Sequence, residues 1–219
     1  MDYFNRKWAY YARTRDSLPA GYRRVEYLES TGTQYIDTGY FITSGDVSVR
    51  MDFVLTQNYT FGSAGFIFGS RGDNSYTLFS CAFPSATQVR LAVSRDTFTN
   101  YAIKSVGDGA RHILDYGAGY IDIDGTNYAV ASYPFRTSNA TPLSIFARVS
   151  YESAPIIGGG VRCYGGFDLS KGGVAMRRLV SCVRIADSKP GMYDLCGSLC
   201  PLTNSPFYVN AGSGEFTYA

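Results

Sequence analysis

Few residues in this chain have the types and the spacing that catalysis requires. Hydrolysis of a glycosidic bond needs two carboxyl groups that face each other across the sugar. The only glutamates are Glu26, Glu29, Glu152 and Glu215. They are scattered, and no closely spaced Glu-x-Asp-x-x-Glu strand occurs. Asp122 and Asp124 share one strand face, but Asp124 precedes a glycine and is expected to begin a turn. The sequence therefore predicts a protein that is not an enzyme.

Metal and phosphate chemistry find no better support. His112 is the sole histidine, which excludes a multi-histidine metal site, and no Gly-x-Ser-x-Gly elbow accompanies it. We expect it to be an ordinary strand residue. The glycine-rich segments 158–160 and 172–173 lack the Lys-Ser/Thr pair of a phosphate-binding loop. They are interpreted as turns, with a flexible loop at 158–160, and no metal site is assigned.

The cysteines are odd in number and irregularly spaced. They are Cys81, Cys163, Cys182, Cys196 and Cys200. Without a Cys-x-x-Cys pair a zinc site is not expected, and the pattern is typical of free thiols in a reducing compartment. Cys196 and Cys200 are the pair that could form a bridge, if the backbone brings them close enough.

Composition indicates a β-rich globular chain. The 219 residues are 45% hydrophobic and 16% aromatic, with 19 tyrosines and 14 phenylalanines. This length suits one β domain, and this composition favours strands and tight turns. A net charge of +2 gives no overall attraction to nucleic acid or a membrane surface. The N-terminus lacks the pattern of a secretory signal, so we expect synthesis in a cytoplasm without export.

Alternation and turn signals predict the fold. Apolar residues at positions 47, 49, 51, 53 and 55 alternate with polar residues at positions 46, 48, 50 and 52, as in a half-buried strand. The run Phe66-Ile67-Phe68 between glycines predicts a strand buried on both faces. Asp124-Gly125 predicts a hairpin between residues 120–123 and 127–130. With no sustained helical period, the predicted fold is all-β: a two-sheet antiparallel jelly-roll sandwich over residues 18–219, opened by a strand pair within residues 18–39.

Residues 1–17 form a short N-terminal arm of a different character. Nine aromatic or basic side chains are assigned to partner anchoring: Tyr3, Phe4, Arg6, Lys7, Trp8, Tyr10, Tyr11, Arg13 and Arg15. In a helix, Phe4, Lys7, Trp8 and Tyr11 would share one stripe. The arm either folds back on its own domain or docks on a partner. Aromatic residues with arginine dominate binding hot spots, which favours docking.

Two blocks near the ends of the chain carry a family resemblance. The opening block reads LPAGY at 18–22 and EYLESTGTQYIDTG at 26–39, and the closing block reads MYDL at 192–195 and FYVNAGSGEF at 207–216. Together they resemble the concanavalin A-like (laminin G-like) jelly-roll domains of gut phage particle proteins and bacterial surface proteins. The chain departs from this pattern at residues 196–206, which add a segment between the two closing motifs.

The resemblance implies a two-sheet fold with glycan or surface binding. Domains of this type sometimes hold calcium on loop oxygens, for which Asp73, Asn74 and Asp108 are the candidates here. No cofactor is otherwise expected. Exposed aromatics that could stack on sugar rings are Tyr59, Tyr101, Tyr116 and Tyr151.

Two functional hypotheses follow. The first is a non-enzymatic structural protein of a phage virion (a capsid decoration, head-fibre or tail-fibre subunit) that joins other virion proteins through the arm and forms a homo-oligomer, with glycan binding as a further role. The second is a carbohydrate-binding module of a bacterial surface protein. A glycoside hydrolase would require two carboxylates about 5–10 Å apart in a groove.

Overall fold

The computed structural model describes residues 17–57, 65–72, 78–85, 87–93, 99–102, 106, 109–117, 120–129, 141–150 and 153–219. They contain nineteen strands and no helix. The strands are β1 (Tyr22–Arg24), β2 (Tyr27–Thr31), β3 (Ile36–Asp37), β4 (Val47–Leu55), β5 (Gly65–Arg71), β6 (Leu78–Ser85), β7 (Gln88–Val93), β8 (Thr99–Ala102), β9 (His112–Gly117), β10 (Tyr120–Ile123), β11 (Thr126–Ala129), β12 (Ser144–Ile145), β13 (Ala147–Ser150), β14 (Ser153–Ile157), β15 (Gly159–Lys171), β16 (Val174–Arg184), β17 (Lys189–Asp194), β18 (Phe207–Tyr208) and β19 (Thr217–Tyr218).

The strands form two sheets, as the sequence predicted. The larger sheet has eleven strands in the order β11-β10-β9-β4-β15-β16-β17-β18, with β1 on β16, β2 on β15 and β19 on β2. The smaller sheet has eight strands in the order β14-β13-β5-β6-β7-β8, and it also holds β12 and β3. Every pairing is antiparallel except that of β13 with β5. Several consecutive strands form hairpins, but other neighbours, such as β4 with β9 and β15, are distant in sequence, which is the crossing pattern of a jelly roll.

The core lies between the two sheets and is rich in aromatic rings. Phe68 of the smaller sheet contacts Tyr116 and Phe167 of the larger sheet, with ring centroids 5.3 and 6.0 Å apart. The predicted inward face of β4 is confirmed, since Val49, Met51 and the other apolar residues of that set face the core. Asp52 and Val54 on the opposite face are buried as well, so the strand is half-buried only over its first four residues. The predicted burial of residues 66–68 on both faces is also confirmed.

The opening stretch folds differently from the expected strand pair. Strand β2 pairs with β15 and β19 in the larger sheet, whereas β3 pairs with β12 in the smaller sheet. The turn between them therefore carries the chain from one layer to the other. Gln34 fixes this crossing, because its side-chain oxygen accepts hydrogen bonds from the backbone N–H and the hydroxyl of Thr31.

The glycines at 158–160 are also not the flexible loop that the sequence indicated. Gly159 and Gly160 begin β15, and Gly158 lies just before it. A Cβ at Gly158 would lie 2.2 Å from the carbonyl oxygen of Phe66, so glycine is needed there for close backbone packing. These residues are glycine because space is absent, not because motion is required.

Two further expectations concern local chemistry. The hairpin at Asp124-Gly125 is confirmed, with both residues at positive φ (55° and 83°) and Ile123 paired with Thr126. All five cysteines are free thiols, four buried and Cys196 exposed, so Cys196 and Cys200 are not bridged. Over the described part of the chain, no helix could cross a membrane.

Candidate functional site

A row of charged side chains crosses the face of the larger sheet that is turned away from the core. Four adjacent strands, β9, β4, β15 and β16, place Asp115, Arg50, Asp168 and Arg178 directly opposite one another. All four are half-buried. Residues in direct register have Cβ atoms about 5 Å apart, so each arginine is held next to an oppositely charged neighbour. The row therefore alternates in sign across the sheet.

This row lines a groove of about 320 Å³. We define the outer-face groove by its polar lining residues, which are Ser48, Arg50, Asp115, Asp168, Ser170 and Arg178. Next to the charges, the hydroxyls of Ser48 and Ser170 lie 2.7 Å apart in one hydrogen bond. The groove thus combines hydroxyl, carboxylate and guanidinium groups, so it offers both hydrogen-bond donors and acceptors.

One aromatic ring borders the outer-face groove. Tyr120 of β10 lies opposite Gly117 of β9, and its hydroxyl donates a 2.9 Å hydrogen bond to Oδ1 of Asp115. Burial and the adjacent Asp115 carboxylate raise the pKa of Tyr120 to about 12. The phenol therefore stays protonated at neutral pH and acts as a donor.

The same face beyond the groove is closed by stacked side chains. Arg111 lies 4.1 Å over the ring of Tyr164 and pairs with Asp52 at 2.7 Å. Arg162 lies 4.5 Å over the ring of Tyr27 and pairs with Glu29 at 2.9 Å. These groups cover the sheet by contacting one another, so they form packing and not a cavity.

His112 is part of the packing beneath the hairpin. Its Nδ1 lies 2.6 Å from Oδ2 of Asp124, and Oδ1 of Asp124 accepts a hydrogen bond from the backbone of Ile113. Phe53 lies 5.8 Å from the imidazole. The turn-forming role predicted for Asp124 is thus confirmed, and His112 is a buried strand residue that supports that turn.

The residues behind the family resemblance meet in space, at a region we call the terminal junction (residues 27–37 and 207–218). Strand β19 pairs with β2 there. Asn210 accepts hydrogen bonds from the backbone N–H groups of Tyr35 and Gly212, and it donates to the carbonyl oxygens of Ser213 and Gly214. The polar residue Asn210 of the closing block therefore holds two chain segments together and does not line the outer-face groove.

The structure contradicts the prediction for one candidate site residue. Tyr116 was a candidate for stacking on a sugar, but its ring is 0% exposed and packs 4.9 Å from Phe79 in the core. The expectation for Tyr116 is wrong, because the strand alternation of β9 directs its side chain inward. Tyr101 lies on β8, where the backbone alone is described.

The other predicted site residues lie outside the described residues. They are the nine arm residues Tyr3, Phe4, Arg6, Lys7, Trp8, Tyr10, Tyr11, Arg13 and Arg15, the aromatics Tyr59 and Tyr151, and the calcium candidates Asp73, Asn74 and Asp108. Among the residues that are placed, no cluster of three or more histidine, cysteine or carboxylate side chains could hold a metal ion.

The outer-face groove was missed by sequence reasoning. The alternation of β4 shows that Ser48 and Arg50 face away from the core, and this signal is present in the sequence. The partners of Arg50 are 65 and 118 residues away, on β9 and β15. Nothing local in the sequence indicates that register.

The class of protein that the fold defines is an all-β, two-sheet jelly-roll sandwich over the described residues. No protein-family model matches the sequence, and no curated protein matches it. Among solved structures, the chain is similar to a native heptameric SAP-like pentraxin from Limulus polyphemus, with 11% identity, coverage of 67% of this chain and 76% of that chain, and a TM-score of 0.47. It is also similar to domains LG4-5 of the mouse laminin alpha1 chain, with 12% identity, coverage of 73% and 44%, and a TM-score of 0.45. The chain thus spans less than half of that laminin chain.

Proposed function

We propose that this protein is a non-enzymatic carbohydrate-binding protein and that its outer-face groove binds a neutral sugar. The observation that carries the proposal is the alternation of Asp115, Arg50, Asp168 and Arg178 in one row. A sugar hydroxyl is both a donor and an acceptor, so neighbouring hydroxyls can donate to an aspartate and accept from the next arginine. The volume of about 320 Å³ lies at the lower end of the range for small-ligand sites.

Charge balance supports a neutral ligand. Two carboxylates and two guanidinium groups line the outer-face groove, so their formal charges cancel. A carboxylated sugar would gain from an arginine but would be repelled by an aspartate on the adjacent strand. A cationic sugar would gain from an aspartate but would be repelled by an arginine on the adjacent strand. Hydroxyl groups can contact every member of the row without such repulsion.

The same geometry favours binding over hydrolysis. Asp115 and Asp168 lie two strands apart, a spacing of about 9.5 Å that would suit an inverting hydrolase. Arg50 stands between them, directly opposite both residues. A hydrolase needs the scissile bond and a water molecule in that space, and here a guanidinium side chain occupies it.

A glycan array with the full-length chain tests this proposal. We expect neutral oligosaccharides to bind, and Arg178→Gln or Asp168→Asn to weaken binding about tenfold, since each loses a charge-assisted hydrogen bond. Arg184→Gln is the matched control, because Arg184 lies on β16 away from the groove and pairs with Asp187. A wild-type chain that binds no sugar on the array, or groove variants that bind as well as Arg184→Gln, would overturn the proposal.

We further propose that the protein works in a phage virion, held by residues 1–17. The support is the resemblance of the terminal blocks to phage particle domains and the aromatic and basic composition of the arm. Substituting Trp8 and Tyr11 by alanine in the full chain should reduce its incorporation into particles of the phage that encodes it, as measured by mass spectrometry of purified particles. Unchanged incorporation contradicts the anchoring role.

The alternative is a carbohydrate-binding module at a bacterial surface. It shares the fold and the outer-face groove, and it differs in location. Sugar binding by the wild-type chain together with its absence from purified particles would favour this alternative over the virion role.

A further inference from the structure

Tyr120 has an unusual position that depends on the residue opposite it. It is paired with Gly117 across β10 and β9. A Cβ at Gly117 would lie 2.5 Å from the Cε1 atom of the Tyr120 ring, closer than real Cβ contacts allow. The missing side chain at Gly117 therefore lets the ring lie across strand β9.

This position brings the phenol to the outer-face groove. The hydroxyl of Tyr120 donates to Oδ1 of Asp115, which is one of the charged lining residues. Ser48, another lining residue, lies two positions from Arg50 on β4 and opposite Gly117 on β9. Tyr120 thus contacts a carboxylate that would face a ligand, although it comes from the neighbouring hairpin.

The hydrogen bond from Tyr120 matters for Asp115 because a positive and a negative side chain lie on either side of this carboxylate. Arg50 lies opposite it on one side and Asp122 on the other side. Directly opposed like charges repel, so the carboxylate of Asp122 would push that of Asp115 out of line. Asp122 is in turn fixed by the backbone N–H of Gly125, at 2.7 Å. The phenol gives Asp115 one defined orientation by holding its Oδ1 in a hydrogen bond.

We infer that Tyr120 is a positioning residue of the sugar site, seated by Gly117, and that it sets the affinity for neutral sugars by orienting Asp115. This inference rests on the proposed function. A positioning role can be told from a purely structural role by measurement. Loss of the phenol hydroxyl alone should weaken ligand binding, while the ring continues to cover the sheet.

The test compares full-length variants by calorimetry with cellotetraose and maltotetraose, and with any neutral sugar found on the array. Tyr120→Phe removes the hydroxyl and keeps the ring, whereas Gly117→Ala displaces the ring and keeps the hydroxyl. Each should weaken binding about tenfold, because a hydrogen bond to a charged group is lost. The double variant should bind no more weakly than the single variant with the lower affinity, since both changes break the same hydrogen bond between Tyr120 and Asp115.

Tyr128→Phe is the matched control, because Tyr128 belongs to the same hairpin but packs against the core. Its affinity should equal that of the wild type. If the wild-type chain binds a sugar and Tyr120→Phe and Gly117→Ala bind it equally well, this inference is wrong and the proposed function stands. If the wild-type chain binds no sugar on the array, the proposed function fails and the inference fails with it. Unfolding curves of each variant separate a binding defect from a folding defect.

Discussion

The terminal junction and the outer-face groove are both rich in polar side chains, but they use them in opposite ways. At the junction, the side chain of Asn210 makes four hydrogen bonds, all to backbone groups of the chain. In the groove, Asp115 and Arg178 line an open space of about 320 Å³. Backbone contacts fix a fold, whereas side chains that line a cavity can also contact a ligand. The residues that carry a resemblance between sequences therefore need not be the residues that line a cavity.

The largest expected effect is at the junction, for Gly212→Ala. A Cβ at this position would lie 2.0 Å from the carbonyl oxygen of Thr33, so the backbone must shift. We expect the free energy of unfolding to fall by about 3 kcal/mol in urea titrations, as for overpacked sites. Ser213→Ala, in the same loop and exposed, should change it by less than about 0.5 kcal/mol. Equal stability of the two variants would show that the junction is not a rigid contact.

Asn210→Ala should have the next largest effect. It leaves the backbone N–H of Tyr35 and three other backbone groups without their side-chain partner. Because the loop is partly solvated, we expect a loss of about 2 kcal/mol and not the full sum of four bonds. Sugar affinity, measured by calorimetry where the protein is folded, should stay at the wild-type value. A selective loss of affinity would mean that the junction belongs to the site.

The groove variant Arg178→Gln should keep its stability and lose sugar affinity, which is the reverse of Asn210→Ala. Half-buried surface charges contribute little to folding, so its free energy of unfolding should change by less than about 1 kcal/mol. Its sugar affinity is the quantity that should fall. Loss of stability without loss of affinity would identify the charged row as a structural ion-pair network and not as a binding site.

The smallest effect concerns alkaline pH. The pKa of Tyr120 is raised from an ordinary value of 10.0 to about 12, first by burial and then by Asp115. The folded protein therefore retains this proton more strongly than the unfolded chain does, so this contribution to stability is present below pH 10 and is lost as pH rises towards 12. The free energy of unfolding should fall over this interval.

The free energy of unfolding should fall less steeply with rising pH in Tyr120→Phe than in the wild type. Tyr218→Phe, at the junction and 38% exposed, serves as the comparison. Chemical denaturation at a series of pH values measures both slopes. Identical slopes for the wild type and Tyr120→Phe would contradict the close contact between the phenol and Asp115.

Much of the architecture was accessible from local patterns. The alternation in β4 identified the inward residues Val49 and Met51, and Asp124-Gly125 identified a hairpin. These signals depend on neighbours in the sequence, which a single chain displays directly. The same logic fails at residues 30–37, where a turn between two strand-like segments predicts a strand pair although it connects two sheets. Local propensity specifies that a strand forms and does not specify its partner.

The sequence by itself determined the all-β class, the inward face of the clearest strand and the absence of a recognisable catalytic motif, because each is encoded by residue type and short-range spacing. Tertiary structure alone decided that Asp115, Arg50, Asp168 and Arg178 form one row and that Gly117 makes room for Tyr120. Strand register is set by the packing of both layers as a whole, so residues far apart in the chain become neighbours for reasons that no local segment contains.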